Sequence, residues 1–575
     1  MKKQTLLLVL LSQFIVITGQ AQLVQKKSKE KIADWYNLSQ DKDGVYGAEV
    51  NKAYEFLKGK PVKKKPVVAI IGFGMDAEHE DLKNVQWTNL NEKADDGIDN
   101  DKDGWIDDIH GWNFLGNAKG EMIEKTNKEG DREYFRLRGL YEGIFFNGTD
   151  YMKFDDVQQK PVKVPAPVNL AEYKYFRYAL QKESQIAAAA ISYQASKFNR
   201  YYLTNDLDAA VKKMYPDLSK VGQKEFIKAT NYLDRQGAKV DSLQLMARYF
   251  FLIGMGVNNG YANRSKGDSV KYESYRDLVL KTNKSKNDYD QALAKTVDAR
   301  KITGDDFSNI NQKNYGNNNL YSNGSFYGTM FSGVIAADRD NNIGIKGIMP
   351  QAQLMSLRAY PKEGEPYYKD IALAIRYAVD HKADVILLGS SNSIYPAYEA
   401  KWVNDALLYA EQKGVLIVSS VWDLSRDLSK QSFYPNQFIN GKELNNFIQV
   451  AASDSLGVPL KTTNFGAKEL NLYAPGVGIS TTYMGTTYRQ AGGSGLSAAC
   501  VAGTAALIKA YYPQLTGAQI RKLILGNVTD RKDVEVEKQV GTKTDMYLFS
   551  QLCSSGGILN AYKAVVAADK QSKTK

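Results

Sequence analysis

Apolar runs and amphipathic stretches alternate along much of this chain. The run VVAIIGFG, Val67 to Gly74, is rich in β-branched residues and ends in glycine, which predicts a buried strand entering a tight turn. VILLGSS (385–391) and GVLIVSSV (414–421) have the same character, and each follows a helical pattern, IALAIRYAVDH and VNDALLYAEQK. Strand and helix therefore alternate, which predicts an α/β fold whose mostly parallel sheet is covered on both faces. Between about 119 and 319 the pattern changes to long, helical, Tyr- and Lys-rich stretches, so this region is expected as a mainly α-helical insertion. Its aromatic residues are expected as helix packing rather than as a ligand box. Its last part, Gly304 to Ser325, is rich in Asn and Gly and is expected as a surface loop.

At the N-terminus Lys2 and Lys3 precede an apolar run from Leu6 to Ile17 and then the small residues Gly19 and Ala21, the pattern of a secretory signal over 1–21. The apolar run is too short to span a bilayer and no later one is long enough, so no transmembrane segment is expected. Residues 22–65 are polar and end in the basic stretch KGKPVKKKP, expected as a linker. The remaining divisions are 66–118 and 320–567 for the two α/β blocks, with a polar tail at 568–575. The 75 Lys and Arg against 64 Asp and Glu, a net charge of +11, are spread without dense runs, so no nucleic-acid partner is expected. Cys500 and Cys553 are too few for a disulfide framework; whether they pair is left open, with two buried free thiols favoured.

The clearest ligand pattern is the acidic loop DGIDNDKDGWIDDIHGW. Asp99, Asp101 and Asp103 alternate ahead of Gly104, so that carboxylates converge on one hard cation while glycine permits the sharp turn. Calcium is expected there, with the Trp105 carbonyl and the carboxylates of Asp107 and Asp108 completing the set. His110 stands where an EF-hand would place a bidentate Glu, so the loop is not an EF-hand.

The two α/β blocks resemble the subtilisin-like serine protease family (subtilases, peptidase family S8). The resemblance rests on ordered landmarks: AIIGFGMDAEHEDL, the acidic loop, YGTMFSGVIAA, NIGIKGIMPQAQLMSLRAY, TNFGAKELNLYAPGVGISTT, GSGLSAACVAGTAALIKAYYP and SGGILNAYKAV. It implies a subtilisin-like three-layer fold interrupted by the helical insertion. It also implies where a triad would stand. The family's D-[ST]-G corresponds to Gly72, Phe73 and Gly74; the general base of HGTHVAG corresponds to Met330; the nucleophile of GTSMAAP corresponds to Gly495. The oxyanion-binding Asn corresponds to Asp423, beside Trp422. Acyl transfer by a triad needs a hydroxyl, an imidazole and a carboxylate, which Gly, Met and Gly do not carry. His79, His110 and His381 are expected as structural or solvated. The expectation at this level is a chain that is not an enzyme: an exported, periplasmic or extracellular scaffold that docks a peptide or protein partner beside Gly389–Ser391. A serine endopeptidase with unorthodox residues, and an envelope-complex subunit working through its insertion, are the competing readings.

Overall fold

Every residue from Val67 to Gly72 is buried, because strand β1 (Val67–Gly72) lies inside a sheet rather than at its edge. It pairs in parallel with β3 (Gln353–Arg358) and β4 (Val385–Leu388), Val67 facing Gln353 and Val68 facing Val385. In the computed structural model, which describes residues 34–573 apart from 236–239, 259–260, 263–269, 392 and 394, the sheet has nine strands. The others are β2 (Gly111–Asn113), β5 (Leu416–Ser420), β6 (Phe447–Ser453), β7 (Leu472–Pro475), β8 (Thr529–Asp530) and β9 (Gly557–Ile558), in the order β8-β9-β7-β6-β5-β4-β1-β3-β2. All neighbours are parallel except β8 and β9.

Side-chain alternation along β1 divides the core into two layers. Val68 and Ile70 face helices α3 (Phe326–Ala336) and α6 (Ser494–Tyr511), while Ala69 and Ile71 face α4 (Tyr368–Asp380) and α5 (Ala397–Gln412). This is the predicted parallel sheet with helices on both faces. Helix α6 is buried almost throughout, and its run of Ala, Gly and Ser lets it pass close to the sheet and to α3.

Two features depart from the sequence expectation. The stretch 35–57, part of the polar N-terminal segment expected to end in a basic linker, is packed on the core. Tyr36 is fully buried with its hydroxyl donating to Lys346 O at 2.8 Å, and α1 (Val50–Leu57) lays Val50, Ala53 and Leu57 against the same core as the C-terminal helix α7 (Ala561–Lys573). Three apolar residues at helical spacing are enough to bind a helix to a large core although the surrounding composition is polar. The insertion is mainly helical as expected, with its own core around Phe198, Leu203, Phe226 and Tyr272. It also holds a small antiparallel sheet over 145–146, 151–155 and 160–164 that the helical texture did not predict.

The predicted signal segment lies outside the described residues. Among those described, no helix is long and apolar enough to cross a membrane. Cys500 and Cys553 are buried free thiols, as expected, and burial pushes the Cys553 thiol up to about 11.

Candidate functional site

The ends of β1, β4 and β5 and the N-terminal turns of α3 and α6 meet around a groove of about 530 Å³. It is lined by Met330, Gly495 and Asp423 among the residues singled out above. Gly72 lies behind it, under Phe73, with its carbonyl accepting from Ala359 N at 3.0 Å and Tyr360 N at 2.9 Å. The fold thus gathers all four positions at one place.

The surroundings of the two glycines differ. A Cβ added at Gly72 would meet nothing within 4 Å. A Cβ added at Gly495 would meet the Phe331 ring, Cζ at 2.7 Å and Cε1 at 2.9 Å. Phe331 occupies the space that a side chain on Gly495 would need. Together with Phe73, Tyr327 and Tyr360 it forms an aromatic wall, with Phe73 4.9 Å from Tyr327 and 5.7 Å from Tyr360 between ring centroids. Tyr327 and Trp422 stay 41% and 39% exposed at the groove, so they border it without filling it.

Asp423 does not stand free in the groove. Its Oδ1 accepts from Ser494 Oγ at 2.7 Å and its Oδ2 from Ser494 N at 3.1 Å, so the carboxylate caps the first turn of α6, where the helix dipole favours a negative charge. Thr463 Oγ1 lies 2.8 Å from Ser494 Oγ; since the Ser494 proton goes to Asp423, the Thr463 hydroxyl is the donor. Behind this pair Lys538 donates to the carbonyls of Leu460, Lys461 and Thr463, and burial lowers its ammonium to about 7 although Asp423 opposes the shift. The other polar groups on the lining include Glu365, whose Oε2 accepts from Ser391 Oγ at 2.6 Å, and the buried Ser390 hydroxyl, which has no partner among the described residues.

The expected docking edge at Gly389–Ser391 is corrected. Gly389 N donates to Ile71 O at 3.1 Å, while Ser391 N donates to Tyr434 O at 2.6 Å and Ser391 O accepts from Tyr434 N at 3.2 Å. The backbone there is already paired, because the loop before β6 folds back onto the end of β4.

The acidic loop separates into two clusters. One oxygen from each of Glu92, Asp99 and Asp101 lies within 4.8 Å of the others, and so do ligand atoms of Asp101, Asp103 and His381. Glu92 and His381 were missed: Glu92 precedes the loop in sequence, and His381 comes from the C-cap of α4, with Nε2 3.0 Å from Asp103 Oδ2. Asp107 stands outside both clusters, whereas Asp108 borders the second, its Oδ2 3.7 Å from His381 Nε2. Asp107 accepts from Asp96 N and Gly97 N, and Asp108 is buried against Asn89 and the Tyr377 hydroxyl. Burial raises the Asp108 carboxyl to about 6. Trp105 donates its N–H to Asp103 Oδ1 and packs its ring on Trp112 and Phe114. His79 and His110 are structural, bonded to Thr487 O and Trp87 O.

The subtilase family model matches residues 63–542, most of the chain and the insertion with it. The chain belongs to the subtilase family. Among curated subtilases and their kin it is 29% identical over 206 residues to a thermostable alkaline protease of Halalkalibacterium halodurans, across 36% of this chain and 52% of that protein. It is 27% identical over 272 residues to subtilisin DY of Bacillus licheniformis, across 47% of this chain and 90% of that protein. The match thus spans about half the length of the first relative, 52%. Among solved structures it is similar to the prenylagaramide maturation protease PagA, at 19% identity and a TM-score of 0.35 over 42% of this chain and 82% of that one. These relatives overturn one expectation. The reading of a chain that is not an enzyme rested on residue types at presumed catalytic positions, whereas the two curated relatives are named as an alkaline protease and a subtilisin, and a protease is what they and the family suggest.

Proposed function

We propose that this subtilase binds an extended polypeptide segment in the groove between β1, β4, β5 and α6, with a large apolar side chain seated on the aromatic wall. The observation that carries this reading is the groove itself: it is open, lined by Phe73, Tyr327, Phe331, Tyr360 and Trp422, with the buried Ser390 hydroxyl on its wall. Apolar lining with a few placed polar groups is what a binding site for a side chain needs.

The test is binding of a fluorescent peptide library to the intact protein. Peptides with an aromatic or leucyl side chain should be enriched. Trp422→Ala should weaken the selected peptides about tenfold or more, the range of a central aromatic contact. Equal retention of all sequences by wild type and variant would defeat the reading.

A second reading, hydrolysis of the bound segment, is favoured by the contact between Ser494 Oγ and Asp423 Oδ1 at 2.7 Å, since a hydroxyl activated by a neighbouring base is the start of acyl transfer. Ser494 heads α6 one residue before Gly495, about 100° around the helix, and is only 2% exposed, so a substrate must reach it through the groove wall. On this reading a fluorophosphonate probe labels the wild type and leaves Ser494→Ala unlabelled. Labelling that persists in Ser494→Ala, or none in either protein, removes Ser494 from the chemistry.

The same proposal takes the signal pattern of residues 1–21 as export to the periplasm or the outside. In that setting the acidic loop holds calcium through Asp99 and Asp101, joined by Glu92.

A further inference from the structure

Two stretches of the groove lining are held by elements outside it. Glu365 and Pro366 are held by Arg132 of helix α2 (Glu129–Tyr141), which donates from Nη1 to Glu365 O at 3.0 Å and from Nη2 to Pro366 O at 2.8 Å. The second stretch, Trp422 to Leu424, lies in a loop and is tied to another irregular segment, the turn 460–464. Ser425 N donates to Thr462 O at 2.6 Å and Asn464 N to Trp422 O at 3.0 Å. Asn464 Oδ1 accepts from Leu424 N at 3.2 Å and from Arg426 N at 2.9 Å. The same turn reaches the first residue of α6 through the Thr463 hydroxyl donated to Ser494.

What grips this turn is an antiparallel hairpin of strands Glu535–Val540 and Lys543–Leu548. Glu535, Glu537, Lys543 and Asp545 on the hairpin are exposed, whereas Lys538 is fully buried. Its Nζ donates to three carbonyls of the turn, Leu460 at 2.9 Å, Lys461 at 3.0 Å and Thr463 at 2.6 Å, and lies 5.6 Å from the centroid of the Phe465 ring. An ammonium has three hydrogens, and each of them finds an acceptor here. The hairpin adds two backbone bonds, from Gln539 N to Lys461 O at 3.4 Å and from Gly541 N to Ser425 O at 3.0 Å.

A turn has no ladder of its own, so its shape follows whatever satisfies its carbonyls. Burying an ammonium is a poor way to gain stability, because an apolar side chain of similar volume fills the space without desolvating a charge. The three directed bonds instead select one conformation of the turn. From this relay we propose that Lys538 is a positioning residue of the groove. It sets the Trp422–Leu424 stretch and the Ser494 hydroxyl in the places from which they meet a bound polypeptide, on the reading above that the groove takes such a segment.

The probe is a fluorescein-labelled alanine peptide with one central Phe, measured with the full-length protein at pH 6. There Lys538, lowered by burial to about 7, carries its charge. Lys538→Met keeps the stem and removes the donors, and should weaken this peptide by about tenfold, while Lys543→Met on the exposed strand leaves it unchanged. With 5-fluorotryptophan incorporated, the fluorine resonance of Trp422, assigned by its loss in Trp422→Phe, should shift in Lys538→Met and stay in place in Lys543→Met. Should Lys538→Met fail to fold, Thr463→Val decides. It keeps the shape of the side chain, removes only the hydroxyl donated to Ser494, and should weaken the peptide by about threefold. An unmoved Trp422 resonance or an unchanged affinity in Lys538→Met, or full affinity in Thr463→Val, overturns the role of Lys538 and leaves the groove reading standing. A wild type that does not bind the peptide removes the groove reading, and the role of Lys538 falls with it.

Discussion

Arg300→Met is expected to lower the unfolding free energy by about 3–5 kcal/mol, the cost of leaving a buried charge without its partner. Nη2 of Arg300 donates to both oxygens of Asp370 at 2.8 Å, and Nη1 donates to Asp305 at 3.1 Å. All three side chains are buried, and Lys369 and the Tyr315 hydroxyl close the network at 2.5 and 2.6 Å. Lys369 remains for Asp305 when Arg300 is lost, but Asp370 keeps only a phenol. Burial already raises the Asp370 carboxyl, and Arg300 is the largest influence holding it down. Without Arg300 the Asp370 carboxyl is raised further above its value in the unfolded chain. A group raised in this way favours folding less as pH rises above its unfolded value, so the deficit of Arg300→Met should be larger at pH 8 than at pH 5. Urea unfolding at both values checks the sign. The double variant Arg300→Met with Asp370→Leu should recover most of the loss, since it removes the charge along with its partner. The network joins the end of the insertion to the start of α4, just after the groove residues Glu365 and Pro366. Arg132 holds the same strip by donating to Glu365 O at 3.0 Å and Pro366 O at 2.8 Å. The insertion therefore braces one wall of the groove.

Gly495→Ser is expected to cost about 1–3 kcal/mol, the range for overpacking a filled site. The new Cβ would lie 2.7 Å from Phe331 Cζ, so either the ring or the first turn of α6 must move. Gly72→Ala provides the contrast: with nothing within 4 Å of its Cβ, it should change stability by less than about 1 kcal/mol. The cause is checked by a double-mutant cycle in thermal or urea unfolding. Gly495→Ser in a Phe331→Ala background should be nearly free of cost, giving a coupling of about 1 kcal/mol or more. Additive losses would mean that the strain lies elsewhere in the turn. The same cycle bears on binding, because moving Phe331 alters the aromatic wall on which the proposed apolar side chain rests.

The family and the layers of the fold were legible in the residues alone. Continuous β-branched runs followed by helical periods leave few arrangements other than a parallel sheet covered on both faces, and the ordered landmarks from AIIGFG to SGGILNAYKAV carry the family. Activity was not legible in the same way. Residue types at three positions led to an expectation of no enzyme, which the protease relatives overturn.

What the sequence by itself determined was local: where strands and helices run, that the insertion is mainly helical, and that carboxylates concentrate between Asp99 and Asp108. The tertiary structure alone decided which of these groups meet. Phe331 stands next to Gly495, His381 next to Asp103, and Glu399 next to Glu129, across separations in sequence that no spacing rule reaches. It also engaged Asp107 with the Asp96 N–H, set Asp108 against the Tyr377 hydroxyl and closed the Ser391 edge with Tyr434. The physical reason is common to all of these. Short-range patterns fix the period of burial along one element, whereas a site is set by packing between elements, where a ring, a carboxylate or a backbone carbonyl takes whatever partner the folded core brings within reach.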